Sequence, residues 1–119
     1  MLFVASCALA SLCYAQSPES LRDQAYNKIK VSSELMGNAK ALLVPGQSKE
    51  NLVVAAQLFV QAGQLFEQAG NTMKTLGGRY VTQTEIENCD IAMQSCLDAI
   101  NNIKRILGVQ DIPAPSGSN

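Results

Sequence analysis

Residues 57–63 read QLFVQAG, residues 64–70 read QLFEQAG and residues 71–77 read NTMKTLG, successive versions of one seven-residue unit, the last much altered. Phased on that unit, Leu52, Phe59, Phe66 and Met73 form one row, Ala55, Ala62, Ala69 and Leu76 a second, and Ala56, Gly63, Gly70 and Gly77 a third. A sustained heptad period predicts an α-helix packed lengthwise on a neighbour, because rows repeating at 3.5 residues per turn stay on one side. Each interior glycine costs roughly 0.5 to 1 kcal/mol relative to alanine, so Gly63 and Gly70 need a reason. A row of small residues lets a second helix approach closely, and close helix packing at Gly63 and Gly70 is the expectation; a kink is the alternative.

The flanking sequence is punctuated to match. Ser48 caps the start of this helix and Gly77-Gly78 closes it. Upstream, Ser17-Pro18-Glu19 is an N-cap followed by proline at the first helical position and an acid at the positive end of the helix dipole. A first helix then runs to about Val44, where Val44-Pro45-Gly46 stops it. Its stripe is Ala25, Ile29, Met36, Ala39 and Leu43, flanked by Leu21, Leu35 and Leu42, with Ser32 the polar member. Downstream, Thr82-Gln83-Thr84-Glu85 is a capping box. It opens a helix whose seam is Ile86, Cys89, Met93, Cys96, Ile100, Ile103 and Leu107, broadened by Ala92, Ala99 and Ile106. The fold class expected is all-α: a small antiparallel three-helix bundle with helices near 18–44, 49–76 and 83–107, its short loops forcing neighbours to run up and down.

The ends read differently from the middle. Residues 1–15 carry no charged side chain, hold an apolar stretch from Leu2 to Leu12 and finish in Cys13-Tyr14-Ala15, a small-x-small site before Gln16. This is the pattern of a secretory signal peptide cleaved after Ala15. Residues 109–119 contain Pro113, Pro115 and the run Ser116-Gly117-Ser118-Asn119, a composition that predicts a disordered tail. The expected organisation is therefore signal peptide 1–15, helical domain 16–108 and tail 109–119, with the mature chain extracellular. After residue 15 no apolar run approaches the roughly 20 residues of a transmembrane helix.

Cleavage would remove Cys7 and Cys13 and leave Cys89 and Cys96. Seven residues of continuous helix separate two Cα atoms by roughly 10.5 Å, whereas a disulfide needs about 4.4 to 6.8 Å. Three arrangements are open: a helix broken between the cysteines, a disulfide to another chain, or two reduced core thiols. The first must give up helical turns and a seam for about 2.5 kcal/mol of loop-closure stabilisation, so it is the weakest. The second makes Cys89 and Cys96 candidate disulfide residues of a symmetric homodimer. The third treats cysteine as a small hydrophobe.

Composition narrows the chemistry. Nine basic and ten acidic side chains give a net charge of −1 with no cationic run, which argues against a nucleic-acid partner. Histidine is absent, and with it the commonest general base and metal ligand. Glu85 and Glu87 suit a helix start, Gly77-Gly78-Arg79 lacks the Lys-Ser/Thr of a phosphate loop, and the cysteine spacing is not C-x-x-C. No catalytic, cofactor or metal residues are therefore assigned. Two functional classes fit: an extracellular interaction or structural protein that packs its helices against itself or another protein, and an extracellular carrier of a small apolar ligand held between the helices.

Overall fold

Each helix begins where a hydroxyl side chain can take a backbone N–H that has no partner within the helix. In a computed structural model, which describes residues 17–113, Ser17 Oγ accepts from the Ser20 N–H at 3.1 Å and opens α1 (Pro18–Ala41). Ser48 Oγ accepts from the Asn51 N–H at 3.1 Å and opens α2 (Lys49–Leu76). For α3 (Gln83–Leu107) the capping box is complete: Thr82 Oγ1 accepts from the Glu85 N–H at 3.1 Å, and Glu85 Oε1 accepts from the Thr82 N–H at 2.8 Å. Gly77 and Gly108 end α2 and α3 with φ of 82° and 70°, backbone that a side chain would strain. The described residues contain no strand. The signal peptide expected over residues 1–15 lies outside them, as does the tail beyond Pro113.

The first helix is shorter than expected. It stops at Ala41 instead of continuing to Val44. The N–H groups of Leu42 and Leu43 reach back only to the carbonyls of Ala39 and Lys40, both at 3.0 Å, the tighter spacing of an ending helix. Val44 precedes Pro45, whose ring disfavours helical backbone at the residue before it. Leu43, expected on the buried stripe, is instead exposed in the loop.

Helix α2 is the middle of the bundle: it packs along both α1 and α3, whereas α1 and α3 barely meet. Two seams of small residues explain that order. A Cβ built on Gly63 would lie 3.4 Å from the Cβ of Cys96, and one on Gly70 would lie 3.4 Å from the Cβ of Cys89. Gly63 opposite Cys96 and Gly70 opposite Cys89 is an antiparallel register, with the heptads of the two helices in step. On the other side, Ala55, Ala62 and Ala69 are fully buried, and so are Ser32 and Ala39 of α1, with Ala25 almost so. The hydroxyl of Ser32 can occupy a seam position because it donates to the Lys28 carbonyl of its own helix at 2.7 Å. The remaining row, Leu52, Phe59, Phe66 and Met73, supplies large side chains, and Phe59, Phe66 and Met73 are buried.

The segment after Gly108 departs from the expected tail in its first residues. The Val109 N–H returns to the Lys104 carbonyl at 3.0 Å, Ile112 packs against the core, and Gln57 Nε2 of α2 donates to the Pro113 carbonyl at 2.9 Å. One apolar side chain and a crossing hydrogen bond tie residues 109–113 to the bundle.

Two outcomes test this packing. Replacing Gly63 or Gly70 by alanine places a methyl at ordinary contact distance, so helix propensity should leave stability unchanged or raise it by up to about 1 kcal/mol. Leucine at either position should overpack the seam and cost roughly 1 to 3 kcal/mol in denaturant unfolding. Leucine variants that melt with the parent would remove the close-approach account. Ending the chain at Gly108 should lower stability by about 1 kcal/mol, the value of a partly buried isoleucine. An unchanged melting curve would show that Ile112 contributes nothing.

Candidate functional site

The two cysteines singled out by spacing lie inside the bundle. Cys89 is 3% exposed and Cys96 fully buried, both are free thiols, and α3 runs unbroken through them. The continuous helix removes the arrangement in which it breaks to join them. The seam expected to meet a second chain is occupied by Gly63 and Gly70 of the same chain. A disulfide to another copy would first have to displace α2. Burial pushes both thiols above their ordinary ionisation range, with the neighbouring carboxylates Asp90 and Glu85 adding to the effect at Cys89. These are packing residues, as are Gly63 and Gly70.

Two grooves with apolar linings remain on the surface after the seams close. At one end the residues released by the early stop of α1, Leu43, Val44 and Pro45, stand opposite Ala99, Ile103 and Ile106 of α3, with Leu52 of α2 also lining the space. They enclose an open groove of about 500 Å³, here the loop groove. Ile106 is 69% exposed, Val44 48% and Leu43 40%. The polar members of the lining are the Asn102 and Gln47 side chains, and no charged side chain lines it. The α1 and α3 C-termini both end near this groove, bringing the negative ends of two helix dipoles towards it.

A second groove of about 440 Å³ opens towards the other end, lined by Tyr26, Ile29 and Met36 of α1, Phe66 of α2, and Glu85, Cys89 and Ala92 of α3. It differs in being bridged. Interaction between the Tyr26 hydroxyl and the Glu85 carboxylate holds that carboxyl below its usual range and raises the tyrosine. The Thr82 backbone bond of the capping box lowers Glu85 further. An ionised carboxylate therefore sits in the wall of this groove at neutral pH.

The rest of the surface carries little chemistry. Among the described residues no group of three acidic, cysteine or histidine side chains could hold a metal ion, and no helix is long and apolar enough to cross a membrane. Lys74 and Asp90 pair across α2 and α3 at 3.6 Å, both half exposed, a contact of small energetic weight. Sequence reasoning missed the loop groove. Its signal in the sequence is the Val44-Pro45 step, which ends the helix and also supplies a groove wall. Compared with protein-family models, curated proteins and solved structures, the chain matches none.

The thiols generate the prediction here. Intact mass under non-reducing conditions should be that of a monomer with both thiols reduced; a dimer mass lost on reduction would overturn the inward placement of the seam. Because the folded chain holds Cys89 and Cys96 above the ordinary thiol value of about 8.5, their contribution to stability is complete below that value and is lost as pH rises through the folded values. The melting temperature should therefore fall more steeply above pH 9 in the parent than in a Cys89→Ala, Cys96→Ala double variant. Equal slopes would mean that the buried thiols are not linked to folding.

Proposed function

We propose that this protein is a secreted, non-enzymatic binding module whose contact surface is the groove between the α1–α2 loop and α3, and that it carries a small apolar ligand there. The observation that carries the reading is the fate of the apolar rows. The small-residue rows are spent inside the chain, so they offer no heptad face to a partner, while Leu43, Val44 and Ile106 remain exposed around one groove. A volume of about 500 Å³ falls within the range of small-molecule sites, about 300 to 1,000 Å³. Export rests on residues 1–15: an uncharged apolar stretch followed by Cys13-Tyr14-Ala15.

Association with a second copy or another extracellular protein is the second reading. It is favoured by Ile91 and Leu97, which are 64% and 45% exposed on α3 and do not line either groove. Scattered apolar side chains of this kind are common on monomers, whereas a concave cluster is less so.

Expression in a secreting eukaryotic host should release a chain whose first residue is Gln16. That chain should take up the neutral fluorophore N-phenyl-1-naphthylamine saturably, at one site, while sedimenting as a monomer. Retention inside the cell would sink the export reading. Absence of saturable uptake together with concentration-dependent dimerisation would replace carriage by association.

A further inference from the structure

Resting on the export reading, in which cleavage after Ala15 makes Gln16 the first residue, we infer that Gln16 is a modification site whose side chain closes on its own α-amine to give an N-terminal pyroglutamyl ring. Glutamine has the length for this. The α-nitrogen attacks the γ-carboxamide carbon, the C–N bond of a five-membered lactam forms, the C–NH2 bond breaks, and the departing nitrogen carries the protons away as ammonia. No oxidant, reductant or second substrate enters, so a glutaminyl cyclase only hastens what the residue does by itself. Both reacting groups belong to one residue, which gives the step the high effective concentration of an intramolecular reaction. An α-amine ordinarily ionises at about pH 7.7 to 8.0, so at neutral pH part of it is the free nucleophile.

The start of α1 leaves the reaction free to occur. The described residues begin one position later, and Ser17, Pro18 and Glu19 are all exposed. Ser17 supplies the cap: its side chain accepts from the Ser20 N–H at 3.1 Å and its carbonyl from the Leu21 N–H at 3.0 Å. Neither bond uses residue 16. Ser17 itself is extended, with ψ of 163°, and helical backbone starts only at Pro18. The helix dipole then favours the product. An α-ammonium one residue before the cap would stand at the positive end of α1, where the acid Glu19 is the charge that suits. The lactam is neutral, so ring closure removes that repulsion. It also guards the cap. With the α-amine gone an aminopeptidase has no group to engage, and the trimming that would leave Ser17 as a charged first residue cannot begin.

The test is the intact mass of the full chain secreted by a eukaryotic host, read on fresh medium before any digestion. The mature chain should be lighter by one ammonia than unmodified residues 16–119, and tryptic mapping should place the loss in residues 16–22. Edman degradation should be blocked until pyroglutamyl aminopeptidase is added, and should then begin at Ser17. Gln16→Ala, secreted in the same way, should show no loss, read freely from position 16 and be shortened by an aminopeptidase that leaves the parent intact. A free, unmodified Gln16 in most of the secreted chains would overturn the ring closure and leave the export reading standing. Shortening of the ring-closed parent by that aminopeptidase would overturn the guarding of the cap. Retention of the chain in the cell, or a first residue at another position, would remove the export reading and this inference with it.

Discussion

The approach of α3 to α2 at Gly63 and Gly70 governs the arrangement of everything else. Where a side chain on α2 is reduced to hydrogen, the cysteine opposite leaves room for no more than a methyl, its Cβ 3.4 Å from where a glycine Cβ would lie, and the heptad repeat makes this happen twice, one repeat apart. Cysteine suits the position because it is small and apolar. The alanine row beside it, Ala55, Ala62 and Ala69, is fully buried and as shallow in relief. Both neighbours can therefore lie close on one central helix.

That closeness has a geometric consequence. The bulk missing from the two seams is carried by Phe59, Phe66 and Met73, which are buried although α1 and α3 barely meet. Large side chains in the middle of that face cover the core there but do not fill its ends. The result is a well-packed centre with an open groove towards each end, one bridged by Tyr26 and Glu85 and the other left apolar. Packing and binding surface are thus two results of one distribution of side-chain volume along α2.

The loop groove depends on a local event as well. Had α1 continued to Val44, Leu43 would have stayed on the buried stripe of that helix. The proline at 45 ends helical backbone before it and releases Leu43 and Val44 to form a wall facing α3. The exposure of Ile106 follows the same logic. It lies one position before Leu107, which packs against the core, and one helical step turns it towards the groove.

The helices and their limits were legible in the sequence, because the signals that make them are local. Ser48 and Thr82 each act on an N–H three residues away, Gly77 and Gly108 supply backbone other residues avoid, and the heptad rows recur within one helix. The end of α1 was misjudged by one turn because the reach of Pro45 back along the chain competes with an apolar stripe that continues to Leu43. The cysteine seam was recognised, but its partner was not. A heptad row is satisfied equally by a neighbour from its own chain or from another, so periodicity alone could not tell the intramolecular seam from a dimer. Ile112 and Pro113 gave no periodic signal, since single contacts with a distant helix leave none. Only the tertiary structure decided that α2 lies between α1 and α3, that Cys89 and Cys96 face Gly70 and Gly63, and that Leu43, Val44 and Ile106 stand around one groove. Those outcomes depend on how side-chain volumes far apart in the chain fit together, and no repeat within a single helix encodes that fit.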